Sequence, residues 1–131
     1  MSPAGLGAGT ARSASRYRVL NVTRVTTVAH RCRIASSFLS RGIGLMGRSR
    51  LADGEGLLIT RTSTITMVGM RMRIDALFLD REGRVLRVAA GLRPWSPAIG
   101  ARGTADVLEL AAGAAAASGT QGGDVLVFEA L

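Results

Sequence analysis

Residues 69 to 88, GMRMRIDALFLDREGRVLRV, constrain this chain more than any other stretch, because two strand-like runs meet there across the polar turn Asp80-Arg81-Glu82-Gly83. In an extended chain Ile74, Ala76 and Phe78 fall on one face, and Asp75, Leu77 and Leu79 on the other. Both faces carry bulk, so this strand is expected to be covered on both sides and central in its sheet. Asp80 at the first turn position and Gly83 at the fourth suit a type I turn, with Gly free to take positive φ. The return strand, Arg84 to Val88, then pairs antiparallel.

With 131 residues the chain is read as one domain, and a domain of this size buries roughly two thirds of its unfolded surface without staples. Cys32 is the only cysteine and His30 the only histidine. An intramolecular disulfide is therefore excluded, and a structural zinc site cannot be built from that pair. No run reaches the roughly 20 apolar residues of a membrane helix. The arginines near the N-terminus precede no uninterrupted apolar stretch, so the expectation is a cytoplasmic protein without an export signal.

The formal charge is +8, and all 17 basic residues are arginine, a bias that GC-rich coding alone would produce. Residues 1 to 52 hold nine arginines and no acid, whereas residues 53 to 131 hold eight arginines against nine acids. Such asymmetry can mark a surface for nucleic acid, anionic lipid or an acidic protein. A basic flexible tail, with internal pairing elsewhere, explains the same numbers. Only 4% of the chain is aromatic, fewer stacking platforms than phosphate binders usually interleave with their charges.

Residues 1 to 16 are rich in Gly, Ala, Ser and Arg and are expected to be a disordered basic tail; residues 17 to 131 form the domain. Tyr17 to Ile34 alternates β-branched and polar residues and reads as two strands or one bent one, with a turn near Asn21 to Arg24. Asn21-Val22-Thr23 matches a glycosylation sequon but reads as ordinary strand and turn. Ala35 to Gly47 predicts a short helix capped by Ser36 or Ser37, with Phe38, Leu39, Gly42, Leu45 and Met46 on one face. After the Gly-rich turn Asp53-Gly54-Glu55-Gly56 comes a strand, Leu57 to Arg61. Beyond the central hairpin lie a loop with Pro94-Trp95-Ser96-Pro97 and a strand from Ala105 to Leu110. A short helix from Ala111 to Ser118, ended by a left-handed Gly119, and a strand from Asp124 to Glu129 close the chain.

Gly42-Ile43-Gly44-Leu45-Met46-Gly47 satisfies the spacing of a dinucleotide fingerprint. Its context does not, since a helix rather than a strand precedes it and no acid lies about twenty residues downstream. The glycines are read as close packing at a helix end, and no cofactor is expected. His30 sits on a strand beside Arg31, and Cys32 reads as a small core residue, so neither suggests a nucleophilic centre. Among the carboxylates Asp75, Asp80, Glu82 and Glu109, only Asp75 draws notice, because a carboxylate on a central strand needs a partner. Arg71, Arg73 or Arg93 could pair with it in a structural ion pair, a reading preferred to a catalytic base. Met67, Met70 and Met72 read as core filler or as the lining of an apolar groove. Trp95, between two prolines, is either a recognition residue or a lid over one end of the core.

In order along the chain stand Arg41 with Gly44-Leu45-Met46-Gly47-Arg48, Gly54-Glu55-Gly56-Leu57-Leu58, Gly69-Met70-Arg71, Ile74 to Asp80, Leu92-Arg93-Pro94-Trp95, Val107 to Gly113, and Gly123-Asp124. This succession, spanning about Val19 to Phe128, resembles the prokaryotic family known as domain of unknown function 192. The resemblance implies a compact, mostly β domain of sandwich or barrel type with short helices, and a family without an established activity. Many relatives carry an export signal that this chain lacks. Thr66 stands where relatives often have His before the Gly-Met pair, and Arg73 where they have Pro.

The expected fold is mainly β: a β-sandwich or partly open barrel of about 7–9 strands, with helices near residues 36 to 47 and 111 to 118. The leading functional expectation is a non-enzymatic binding module recognising a protein or small ligand through a groove of Met70, Asp75, Arg93 and Trp95. The alternative is a basic surface of Arg31, Arg33, Arg41 and Arg48 that meets nucleic acid or an acidic partner. The third is a small hydrolase or isomerase using Asp75.

Overall fold

The structure, a computed structural model, describes residues 16–35 and 51–131. Nine strands and one short helix make up the described fold: β1 Tyr17–Asn21, β2 Thr26–Ala35, β3 Glu55–Thr60, β4 Thr64–Ile65, β5 Ile74–Leu79, β6 Val85–Leu92, β7 Ile99–Gly100, β8 Asp106–Ala111, α1 Ala114–Ala117 and β9 Leu126–Ala130. Seven strands form one sheet in the order β6-β5-β8-β3-β2-β1-β9, while β4 and β7 form a separate two-stranded ribbon. Within the large sheet only β2 and β3 run parallel. The expected β-rich architecture is what forms, as a curled sheet. The expected helix over 35–47 and the glycine fingerprint at 42–47 lie outside the described residues, apart from Ala35, which closes β2.

The sheet curls because its first and last strands approach each other. Arg84 and Val125 form an antiparallel bridge. The Val85 N–H donates to the Asp124 carbonyl at 2.8 Å, and the Leu126 N–H to the Gly83 carbonyl at 2.9 Å. One face of the curl gathers Tyr17, Val19, Leu58, Leu77, Leu108 and Phe128 into a core. On the other face of β3, β8, β5 and β6, Leu57, Ile59, Met67, Met70, Phe78 and Val107 form a second core, in which Ile65 of the β4–β7 ribbon is buried and Ile99 packs at its margin. Both β5 and β8 are buried at every position, which is why their sequences carry bulk on both faces. Gly100 lets the ribbon close, since a Cβ there would lie 2.6 Å from Thr64 Cγ2 and 2.7 Å from the Ser63 carbonyl oxygen.

The central hairpin turns as its residues dictate. Asp80 Oδ1 accepts the N–H groups of Glu82 and Arg84, each at 2.9 Å, and Gly83 adopts φ 84. The return strand begins at Val85 rather than Arg84, because the Arg84 backbone closes the turn. Two register shifts interrupt the β5–β6 ladder, and Gly91, at φ 64, lies in one of them.

Beside the seam, Asn21 is fully buried. Its Nδ2 donates to Thr120 Oγ1 and to Asp124 Oδ2, each at 3.0 Å, while its Oδ1 accepts the Arg24 N–H. A glycan could not occupy that side chain. Asp124 Oδ2 also accepts Arg24 Nε at 3.0 Å and the Gln121 N–H at 2.9 Å. The hydrogen bond from Arg24, aided by those from Asn21 and Gln121, brings the Asp124 carboxyl down to about 2. β9 therefore starts at Leu126 rather than at Asp124, whose side chain ties the β1–β2 turn to the loop after α1.

A carboxyl lowered on folding stabilises above its unfolded value and loses that contribution as pH falls through its folded one. Acid unfolding of the wild-type protein should accordingly steepen between pH 4 and about 2. Asp124→Ala should remove that steepening and cost roughly 2–4 kcal/mol at neutral pH in urea titrations, since buried donors lose their acceptor.

Candidate functional site

β5 carries Asp75 on the same face as Leu77 and Leu79, and the β6 shift at Gly91 and the junction of β8 with α1 converge on its side chain. Asp75 Oδ1 accepts the Gly91 N–H at 2.9 Å, and Oδ2 accepts the N–H groups of Gly113 at 3.1 Å and Ala115 at 3.0 Å. The arginine partner expected from the sequence is not used: both Asp75 oxygens are met by backbone N–H groups. Backbone donors replace it, because a strand irregularity and the first turn of a helix leave N–H groups without ladder partners. At 1% exposure, with both oxygens engaged, Asp75 is placed as a structural cap rather than as a base facing substrate.

β6 leaves that cap and runs into the turn Arg93-Pro94-Trp95-Ser96. The Ser96 N–H and Oγ both donate to the Arg93 carbonyl, at 3.2 and 2.8 Å. Proline at the second position and a left-handed third residue are the type II pattern, but the third residue is Trp95, at φ 65, where glycine is the usual choice. The Trp95 N–H donates to the Met67 carbonyl at 2.9 Å, pinning the turn to the loop that leads into β5. The indole is 68% exposed and Val68 50% exposed. Of the two sequence-based readings of Trp95, exposure favours the surface one over the lid.

The pairing of Ile74 with Leu92 sets Arg73 and Arg93 side by side at the end of the ladder, and Arg71, Arg73 and Arg93 are all exposed. Residues 61–73 carry three arginines, residues 84–105 carry four, and neither stretch has an acid. The even charge count of the second half conceals this, because Asp75, Asp106, Glu109 and Asp124 are buried while its arginines are exposed.

The four residues grouped as a groove from sequence thus separate. Arg93 and Trp95 lie together at the surface. Met70 is buried in the core beneath the ribbon, and Asp75 projects from the other face of the sheet. Of the expected basic surface, Arg31 and Arg33 are exposed on β2, and Arg41 and Arg48 lie outside the described residues. Cys32 is fully buried and its thiol is pushed up to about 12 by that burial, which makes it inert. His30 is exposed on β2.

Glu109 was weighed among the carboxylates and set aside in favour of Asp75, although its place in the apolar run Val107 to Ala111 was a signal of burial. On β8 it stands between Leu57 and Ala76, on the Met70 side of the sheet. It is 5% exposed, its Oε1 has no hydrogen-bond partner, and burial raises its carboxyl to about 7.

Residues 20–128, which span all of these features, match the family profile of domain of unknown function 192 (DUF192), described as an uncharacterized ACR. The chain belongs to that family. Its fold recurs in a "putative transcription regulator" of Sinorhizobium meliloti 1021, with 28% identity and a TM-score of 0.76 over 88% of this chain and 95% of the other. A protein of unknown function from Novosphingobium aromaticivorans DSM 12444 is similar at 26% identity and a TM-score of 0.71, over 96% of this chain and 92% of that one. No curated protein matches the chain. The DUF192 resemblance read from the sequence is thereby borne out, and it supplies the architecture without a chemistry.

Two substitutions test the buried carboxylates. Asp75→Asn should lose roughly 2–4 kcal/mol in urea unfolding, because its amide N–H₂ would face backbone donors. For Glu109 the sign is opposite to that of Asp124: a carboxyl raised on folding stabilises fully below its unfolded value and is lost as pH rises through about 7. Glu109→Gln should flatten the decline in stability from pH 4.5 to 8, on the order of 3 kcal/mol, measured by unfolding at each pH.

Proposed function

We propose that the protein is a non-enzymatic binding module that takes an acidic protein segment on the surface around Trp95. One observation carries this reading: an indole 68% exposed on a left-handed backbone. A non-glycine residue in that conformation costs roughly 1–3 kcal/mol and persists where its surroundings over-determine it, commonly at binding sites. Here Pro94 and the carbonyls of Arg93 and Met67 hold it. Trp and Arg are the residue types that dominate binding hot spots, and Trp95 with Val68 supplies an apolar anchor inside a flank of Arg71, Arg73 and Arg93. In this reading Met70 and Asp75 contribute from beneath, Asp75 by fixing Gly91 two residues before Arg93.

A second reading, nucleic-acid binding, draws on the unopposed arginines of residues 61–73 and 84–105 and on the description of the Sinorhizobium meliloti neighbour. A lone exposed aromatic among the described residues gives a strand a single stacking platform, which favours the protein segment.

Trp95 is the only tryptophan, so its emission reports on this surface alone. A glutamate-rich peptide should shift that emission to the blue, whereas a mixed single-stranded DNA oligomer should act only weakly and lose its effect steeply as salt rises. Tight DNA binding without a peptide response would favour the second reading, and no response to either would remove both. Trp95→Gly should unfold at the same temperature as wild type or slightly higher, gaining up to about 1 kcal/mol from relieved strain, while peptide affinity drops at least about tenfold. A clear loss of stability would instead make Trp95 a core residue.

A further inference from the structure

Away from the Trp95 turn, the loop after β3, the β5–β6 turn and the loop before β8 enclose a cleft of ≈ 530 Å³, within the usual size of small-molecule sites. Its walls include Arg61, Ser63, Arg81, Thr104 and Asp106. We propose that this cleft is a binding subsite for phosphate, either the free ion or the phosphate group of a monoester.

The charge is placed by rigid backbone. Arg81 sits in the turn whose neighbours Glu82 and Arg84 are both tied to Asp80 Oδ1. Arg61 adopts φ 55, one of three left-handed non-glycine residues among those described, with Val25 and Trp95, and its N–H donates to Asp106 Oδ1 at 3.0 Å. Asp106, 5% exposed, thus accepts from the Arg61 backbone and fixes its unusual conformation. The neighbouring N–H of Thr62 is held by the Ala105 carbonyl at 3.0 Å, so the two walls cannot drift apart without breaking that bond. Arg61 and Arg81, both exposed, line one cleft from separate elements, and arginine is the residue type that binds the tetrahedral oxygens of a phosphate in bidentate fashion.

The wall also holds an unused hydroxyl. Thr104 Oγ1 is buried and has no hydrogen-bond partner. Such a group is costly to leave unpaired, and a Thr side chain changes its hydrogen bonding by rotation about χ1. A bound phosphate oxygen would offer it an acceptor. Conserving Thr shape without the hydroxyl, as Val does, should therefore help the empty protein and harm the loaded one.

The test uses the full chain and calorimetric titration with inorganic phosphate and with glycerol 3-phosphate, against chloride at equal ionic strength. Phosphate should bind where chloride does not. Response to both ligands identifies an ester subsite, and response to inorganic phosphate alone identifies a free-ion site; both support the proposal. Arg81→Ala, at an exposed turn position, should weaken binding about tenfold or more. Arg61→Gly, which suits the left-handed backbone, should do the same with the melting temperature retained. Thr104→Val should raise the melting temperature without phosphate and lower phosphate affinity, whereas Trp95→Gly should leave phosphate affinity unchanged. Equal effects of phosphate and chloride, or an Arg81→Ala protein that binds phosphate as wild type does, would overturn the proposal and leave the Trp95 surface untouched.

Discussion

The carboxylate of Asp75 is the constraint on which the rest of this structure depends. It is the one side chain that joins β5, the irregular end of β6 and the junction of β8 with α1. The last two of these sites hold three backbone N–H groups, those of Gly91, Gly113 and Ala115, that regular pairing does not satisfy, and a buried unpaired donor is expensive. One acid meets all three requirements. It thereby fixes where β6 leaves the sheet, and so where the Pro94-Trp95 turn stands. A residue read from the sequence as half of an ion pair is better understood as the joint that positions the exposed surface.

How much of this was legible in the sequence depended on the range of the forces involved. The hairpin at Asp80 to Gly83 was readable because turn chemistry is local, and the two-faced burial of β5 because periodicity records it directly. The helix expected at 111 to 118 forms only over Ala114–Ala117, since Ala111 pairs with Ile74 as the last residue of β8. Alanine favours helix, but the ladder wins at that position. Asp75 was singled out as a carboxylate in need of a partner, and that partner was misassigned to arginine, because a backbone donor 40 residues away leaves no mark on the sequence. Glu109 was set aside for a related reason: its isolation is a property of Leu57 and Ala76 on neighbouring strands. Trp95 was recognisable from its prolines, although its left-handed backbone was not.

Charge was the least legible property of all. A linear tally balances the second half of the chain, with eight arginines against nine acids. Folding separates them, because four acids are buried, three of them as internal hydrogen-bond acceptors, while arginine, with its long stem and persistent charge, stays at the surface. The outward field of the domain is therefore more positive than its composition suggests. Both the surface around Trp95 and the cleft at Arg81 draw on that separation.

The seam at Arg84 and Val125 gives the fold a mixed character. In that single layer of residues the sheet is a barrel, and elsewhere β6 and β9 are open edges that lie far apart in strand order. Open edges invite other strands, and β6 meets that hazard with two register shifts, a left-handed Gly91, and Arg87 along its length. The irregularities that required Asp75 as a cap are also what make this edge a poor template for a neighbouring chain. The blunting of this edge and the placing of the exposed Trp95 turn thus have a common origin in one imperfect strand.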